Sequence, residues 1–169
     1  MQKRTHWTAV VLVLLAIAAG TLPASAQAKS DEAAIRALYN KFNDAFNKKD
    51  VDGIMSVYAP DVFVFDVIPP REYSGWEAYK KDWQGLFANF TGPLTNAVTD
   101  LNITVVGPVA YVHYIDDGTI TAADGTKTHT VVRSTDVWRK QNGKWLIVQE
   151  HNSVPVDLAT SKADLLSTP

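Results

Sequence analysis

One stretch constrains this chain more than any other: NKKDVDGIMSVYAPDVFVFD, residues 47–66. Its pattern predicts the end of one helix, a short second helix, a proline stop and a strand that delivers a carboxylate. Asp50 is a candidate N-cap, because its side chain can accept from a helix N–H that has no other partner. Ile54, Val57 and Tyr58 follow it at helical spacing. Pro60 has no N–H with which to continue a helix. Val62 to Phe65 are β-branched or aromatic and suit a pleated strand. Asp66 then ends a run that is otherwise apolar. An ionised carboxylate in such a place is costly unless it is paired, solvated or shifted in pKa. Asp66 is therefore the first functional candidate. The bland alternative is an aspartate that caps the Ile68-Pro69-Pro70 turn.

Residues 1–26 read as a secretory signal peptide rather than as fold. Lys3 and Arg4 supply the positive start, Ala9 to Leu22 are almost wholly apolar, and Ala24-Ser25-Ala26 is a small-x-small cleavage site. The apolar tract is shorter than the roughly 20 residues that span a bilayer. Cleavage after Ala26 leaves 143 residues, and cleavage after Ala28 is nearly as well supported. The expectation is a periplasmic or secreted protein with no membrane attachment after cleavage. The chain contains no cysteine, which excludes a disulfide framework, a thiol nucleophile and a cysteine-ligated metal. Two of the 16 basic residues and none of the 18 acidic ones lie in the signal, so the remainder carries a net charge of −4. That balance argues against nucleic acid or an anionic membrane as partner.

The remainder divides into a domain over residues 30–156 and a polar tail over 157–169. Ser30 can cap a first helix reaching Lys49, with Ile35, Leu38, Tyr39, Phe42, Ala45 and Phe46 on one face. Trp76, Tyr79, Trp83, Leu86, Phe87 and Phe90 predict a third, aromatic-rich helix over 76–90. Four strands follow, over 95–106, 109–121, 127–141 and 144–154, turned at Gly107-Pro108, Asp124-Gly125 and Asn142-Gly143. Helices first and an antiparallel meander after them predict an α+β fold. The expected form is a cone-shaped, curved antiparallel sheet with three N-terminal helices packed on its concave face and a pocket at its mouth.

The tract DVDGIMSVYAPDVFVFD, Gly75 before an aromatic helix, and TDVWRKQNGKWLIVQEHNSVP over 135–155 together resemble the SnoaL-like and ketosteroid isomerase-like proteins of the nuclear transport factor 2-like superfamily. The last tract is also similar to the association domain of calcium/calmodulin-dependent kinase. The resemblance runs from about Asp31 to Val156. It implies the cone fold and a homodimer through the outer face of the sheet, near Thr126–Val132 and Lys144–Val148. It does not imply one function, because this fold hosts isomerases, cyclases, dehydratases, binding modules and assembly domains. Placed against the isomerases, the general-base aspartate falls on Asp66 and the oxyanion-hole aspartic acid on Asp136. The oxyanion-hole tyrosine falls on Phe42, which has no hydroxyl. Tyr39 and Tyr58 are nearby substitutes.

Other candidates are ligand-binding. Strand alternation places Asp136 with Val132, Ser134 and Trp138 on one face, so Asp136 is expected inside the cone or, failing that, paired across strands on the surface. His113 matches a basic pocket residue of the association domains and is expected beside Asp136. Matching the last strand to the isomerases places Glu150 and Asn152 inside, with His151 and Ser153 outside; a one-residue slip reverses this. Trp83 and Phe87 are the aromatic residues expected to reach the cavity. The dispersed histidines give no metal-ligand spacing, so no metal is expected. The function these residues imply is a small-molecule site for an apolar or cyclic carbonyl compound. If it is an enzyme, it performs cofactor-free proton transfer of the isomerase or cyclase kind. The alternative is a non-catalytic exported binding or assembly domain, which Phe42 favours.

Overall fold

The computed structural model of the protein describes residues 23–167. The expected signal segment lies outside the described residues except for its last four, 23–26. In chain order the elements are α1 (Ala24–Asn47), α2 (Val51–Met55), β1 (Tyr58–Phe65), β2 (Tyr73–Ser74), α3 (Trp76–Asn89), β3 (Leu94–Val106), β4 (Val109–Thr121), β5 (Lys127–Gln141), β6 (Lys144–Ser153), β7 (Val156–Asp157) and β8 (Lys162–Ala163). Strands β1–β6 form one sheet in the order β2-β1-β6-β5-β4-β3. All of its pairings are antiparallel except β1 with β6, which is parallel. The chain thus lays β1 down early and returns at the end to run β6 beside it.

The sheet is open and curved. Register shifts interrupt three pairings: β1–β6 between Tyr58 and Phe63, β3–β4 between Thr99 and Asn102, and β5–β6 between Val137 and Trp138. An extra residue on one strand bends and twists the pair. The helices fill the hollow that results. Ile35, Tyr39, Phe42 and Ala45 of α1 pack with Val112, Tyr114 and Trp138 of the sheet and with Tyr79 and Trp83 of α3 in one core.

The 47–66 tract folds for reasons visible in it. Asp50 caps α2 by accepting from the Gly53 N–H at 2.9 Å. Gly53 is required there: a Cβ would lie 2.5 Å from Asp50 Oδ2 and 2.8 Å from Ala45 Cβ of α1. Strand β1 starts at Tyr58, before Pro60, so Tyr58 belongs to the strand and not to the second helix. Gly75, at φ +88°, donates to Val62 O at 2.7 Å and turns the chain into α3.

Two expectations need correction. Helix α1 begins six residues before Ser30, at Ala24. Apart from Ser25, the segment Ala24–Lys29 is alanine, glutamine and lysine, good helix formers with no stop signal, so Ser30 lies within the helix and caps nothing. Asp31 is the next residue of the helix. It is buried, and it accepts from Lys140 Nζ at 2.6 Å, Trp145 Nε1 at 3.1 Å and Gln27 Nε2 at 3.0 Å. Burial raises its pKa, but these donors outweigh burial and hold it below the usual carboxylate value. The C-terminal segment, expected only as a polar tail, carries structure of its own. It forms the β7–β8 hairpin, and Leu165 O accepts from the Val131 N–H at 2.7 Å, on the stretch of β5 that extends past the end of β6.

Candidate active site

A cavity of about 210 Å³ opens between the sheet and the helices. Its apolar wall comes from Phe42 and Phe46 of α1, Trp83 and Leu86 of α3, and Ile120 and Val132 of the sheet; Leu165 of the C-terminal segment also borders it. Its polar groups are Asp66, just past β1, Asp82 of α3, Asn96 of β3, Asp116 of β4, Thr130 of β5 and Asn152 of β6. Two shallow grooves on the outside, along α1 and beside Trp76, do not border Asp66.

Asp66 is half-buried, and its Oδ1 accepts from the Ile68 N–H at 3.3 Å. Its Oδ2 lies 3.3 Å from the Tyr79 hydroxyl, which lies 2.6 Å from Glu150 Oε1. Tyr79 has one proton, and the shorter bond to Glu150 takes it. The Asp66 contact is then best filled when Asp66 itself carries a proton and donates to the Tyr79 oxygen. Burial raises the Asp66 pKa, and the Ile68 N–H offsets only part of the rise.

Glu150 sits behind that wall, fully enclosed by donors. Tyr58 bonds its Oε2 at 2.6 Å, and Asn152 Nδ2 bonds its Oε1 at 2.8 Å. Burial pushes its pKa up to about 7 against the pull of these donors. Asp116 accepts from Asn96 Nδ2 at 2.8 Å, and its other oxygen lies 3.1 Å from Ser134 Oγ, whose one proton has a shorter bond to Asn152 Oδ1 at 2.7 Å; burial pushes Asp116 up to about 6. Asp82 accepts from the Tyr73 hydroxyl at 2.7 Å and is also raised by burial.

Asp66, Trp83 and Asn152 therefore border one space, and Tyr58 and Glu150 stand directly behind it. Phe87 packs against Trp83 and Phe46, one layer from the cavity. Asp136 is placed differently. It is on the inner face of β5 as alternation requires, but it is sealed under Tyr39, whose hydroxyl donates to it at 2.5 Å, and it does not border the cavity. Trp138 lies with it and donates to Tyr39 at 3.0 Å. Burial, and then the charge of Glu150, raise the Asp136 pKa well above the usual value. Tyr39 and Trp138 fill the space through which Asp136 would have to act on a ligand.

His113 is a plain correction. It is exposed on the outer face, opposite Thr135, while Val112 faces Asp136 across the pair. The inner set of β4 is Ala110, Val112, Tyr114 and Asp116. No His–carboxylate pair forms there. His151 is likewise outside, packed on the Phe65 ring at 5.6 Å. Asp116 and Asp82 are the cavity groups that sequence reasoning missed. Strand alternation held the sign for Asp116, which shares parity with Val112 and Tyr114. Helical spacing held it for Asp82, which lies three residues after Tyr79.

Comparison with known proteins agrees with this geometry. A family profile described as a SnoaL-like domain matches residues 35–157. No protein of curated function matches the chain. A nuclear transport factor 2-like protein of unknown function from Pseudomonas putida KT2440 is similar at 29% identity, with a TM-score of 0.77, over 83% of this chain and 98% of that one. A superfamily protein from Salmonella enterica serovar Typhimurium shares 22% identity and a TM-score of 0.68 over 80% and 96% of the two chains. A candidate scytalone dehydratase from Novosphingobium aromaticivorans shares 15% identity and a TM-score of 0.69 over 76% and 86%. At such identities the last two show the fold alone. With its profile match, its curved sheet and its helix-lined cavity, the chain belongs to the SnoaL-like family of the nuclear transport factor 2-like superfamily.

Proposed function

We propose that this is an exported SnoaL-like enzyme whose cavity holds an apolar or cyclic carbonyl compound and moves a proton on it. One observation carries the reading: Asp66 borders an apolar cavity while its far oxygen meets the Tyr79 hydroxyl. As a carboxylate, Asp66 takes a proton from the carbon beside the carbonyl. The developing oxyanion needs a donor, and Asp116 in its acid form is suited to that role. Asp136, the partner suggested by the family resemblance, is shielded by Tyr39 and acts only on the electrostatics behind the wall. Return of the proton from Asp66 to another carbon completes an isomerisation and restores both groups. A base works best when its pKa lies near the operating pH, and burial moves Asp66 in that direction. The dehydratase name of one structural neighbour fits the same acid–base repertoire.

The test is proton exchange. A panel of cyclic ketones in deuterated buffer is followed by NMR with the wild type and with Asp66→Asn. The wild type should accelerate deuterium uptake beside the carbonyl, and the variant should lose about 100-fold or more of that acceleration. Ketones that bind without Asp66-dependent exchange would favour a binding domain instead, the reading supported by Phe42 in the wall where a hydroxyl would serve catalysis.

A further inference from the structure

The polar inventory of the cavity is lopsided. Asp66, Asp82 and Asp116 border it, and no lysine, arginine or histidine does so among the described residues. The side-chain donors near these acids are already used on carboxylates: Tyr73 on Asp82, Tyr79 on Glu150, Asn96 on Asp116 and Asn152 on Glu150. Besides the Thr130 hydroxyl, which can donate or accept, what remains open is acceptor capacity, on Asp66 and on the second oxygen of Asp82. The acids are also spread around the space: no group of three or more such residues is placed to hold a metal ion among the described residues.

A second feature is independent of the carboxylates. Phe42, Phe46 and Trp83 border the same cavity and pack edge to face, with ring centroids 5.7–6.0 Å apart for the two pairs with Trp83. Aromatic rings around a space attract an organic cation through their quadrupoles and still accept an apolar body. Trp83 is nine-tenths buried, and its Nε1 hydrogen has no acceptor among the described residues. An anion would meet these carboxyl groups with no counter-charge and raise them further, whereas a cation favours their ionised form and is met by carboxyl oxygens and rings together.

We infer that the ligand of this cavity is an organic cation, a protonated amine carried on a compact apolar ring or chain. The cavity is smaller than the 300–1,000 Å³ of sites for drug-sized ligands, so the occupant is small. The inference rests on the proposed function for its location and sharpens its substrate class: the carbonyl compound bears a basic nitrogen.

Three compounds of nearly one shape test it: 2-aminotetralin, 2-tetralone and tetralin-2-carboxylate, titrated into the wild type and followed by amide NMR and calorimetry. The amine should bind at least about tenfold more tightly than the ketone, and the carboxylate should not bind at millimolar concentration. Asp82→Asn and Asp116→Asn should each narrow the amine-to-ketone ratio. A ketone that binds as tightly as the amine, a carboxylate that binds, or three compounds that all fail to bind would overturn the inference, and each of these is read on the wild type regardless of how the variants fold. The two proposals separate cleanly. Amine preference without Asp66-dependent exchange leaves the cation inference standing and removes the proton-transfer reading; exchange on ketones without amine preference does the reverse.

Discussion

At the scale of single residues, buried acids set the character of this protein. Asp31 is ionised and paired, whereas Asp116, Asp136 and Glu150 are raised by burial. A carboxyl whose folded pKa is raised costs stability above its unfolded pKa, and the cost vanishes in acid. The lowered Asp31 acts oppositely, but only below the ordinary aspartate value. Between about pH 4.5 and about pH 7.5 the raised group governs, so the wild type should become more stable as pH falls across that window. Asp136→Asn removes one such charge and keeps an oxygen for the Tyr39 hydroxyl. Urea unfolding at both ends of the window should show a smaller acid gain for the variant than for the wild type, and an equal gain would show that Asp136 is not a raised acid. Gly53→Ala is the steric counterpart. Its Cβ would meet Asp50 Oδ2 at 2.5 Å and Ala45 Cβ at 2.8 Å, so either the α2 cap is lost or the α1–α2 contact opens. The expected cost is about 1–3 kcal/mol, read as a lower Tm; an unchanged Tm would refute the close approach.

At the scale of elements, the C-terminal segment is the part that sequence patterning hid. Leu165 borders the cavity and its carbonyl fills the Val131 N–H on the uncovered stretch of β5. A chain ending at Val154 should still fold, but hydrogen exchange at Val131 should accelerate while Val112 in the core stays protected; unchanged protection at Val131 would contradict the contact. Nothing in a polar run such as Ser161-Lys162-Ala163-Asp164 announces that contact, because two short strands carry no periodicity. Elsewhere the sequence was more legible. The limits of β4 and β5 follow from Gly107-Pro108 and Asn142-Gly143, and Asn142 and Gly143 take φ of 50° and 79°, the sign a tight hairpin requires. Alternation divides β4 into two sets, but it does not say which set faces the core. Tyr111, His113 and Ile115 are as amphipathic a set as Val112, Tyr114 and Asp116, and a one-residue slip exchanges them. The depth of Asp136 was illegible for another reason: alternation gives the face of a side chain, and only the packing of Tyr39 from a distant helix decides whether it reaches the cavity.

At the scale of the whole molecule, we propose a homodimer through the outer face of the sheet. The support lies at the β3–β4 end, where Val106, Val109 and Tyr111 are 63%, 40% and 51% exposed. It does not lie at residues 126–132, because Thr130 and Val132 border the cavity and Val131 is buried. Sedimentation at micromolar concentration should show a dimer, and Tyr111→Glu should shift it to monomer; a monomeric wild type would refute the proposal. The sheet, the helices and the C-terminal segment otherwise serve one end, which is to hold Asp66 against an apolar space with Tyr79 and Glu150 behind it. Carboxyl-resolved NMR titration of protein labelled with ¹³C-aspartate and ¹³C-glutamate tests that most directly. Asp66 should titrate above its ordinary value, and its midpoint should move in Tyr79→Phe, which removes its hydroxyl partner. Ordinary, solvent-like titration of Asp66, unaffected by Tyr79→Phe, would contradict the account.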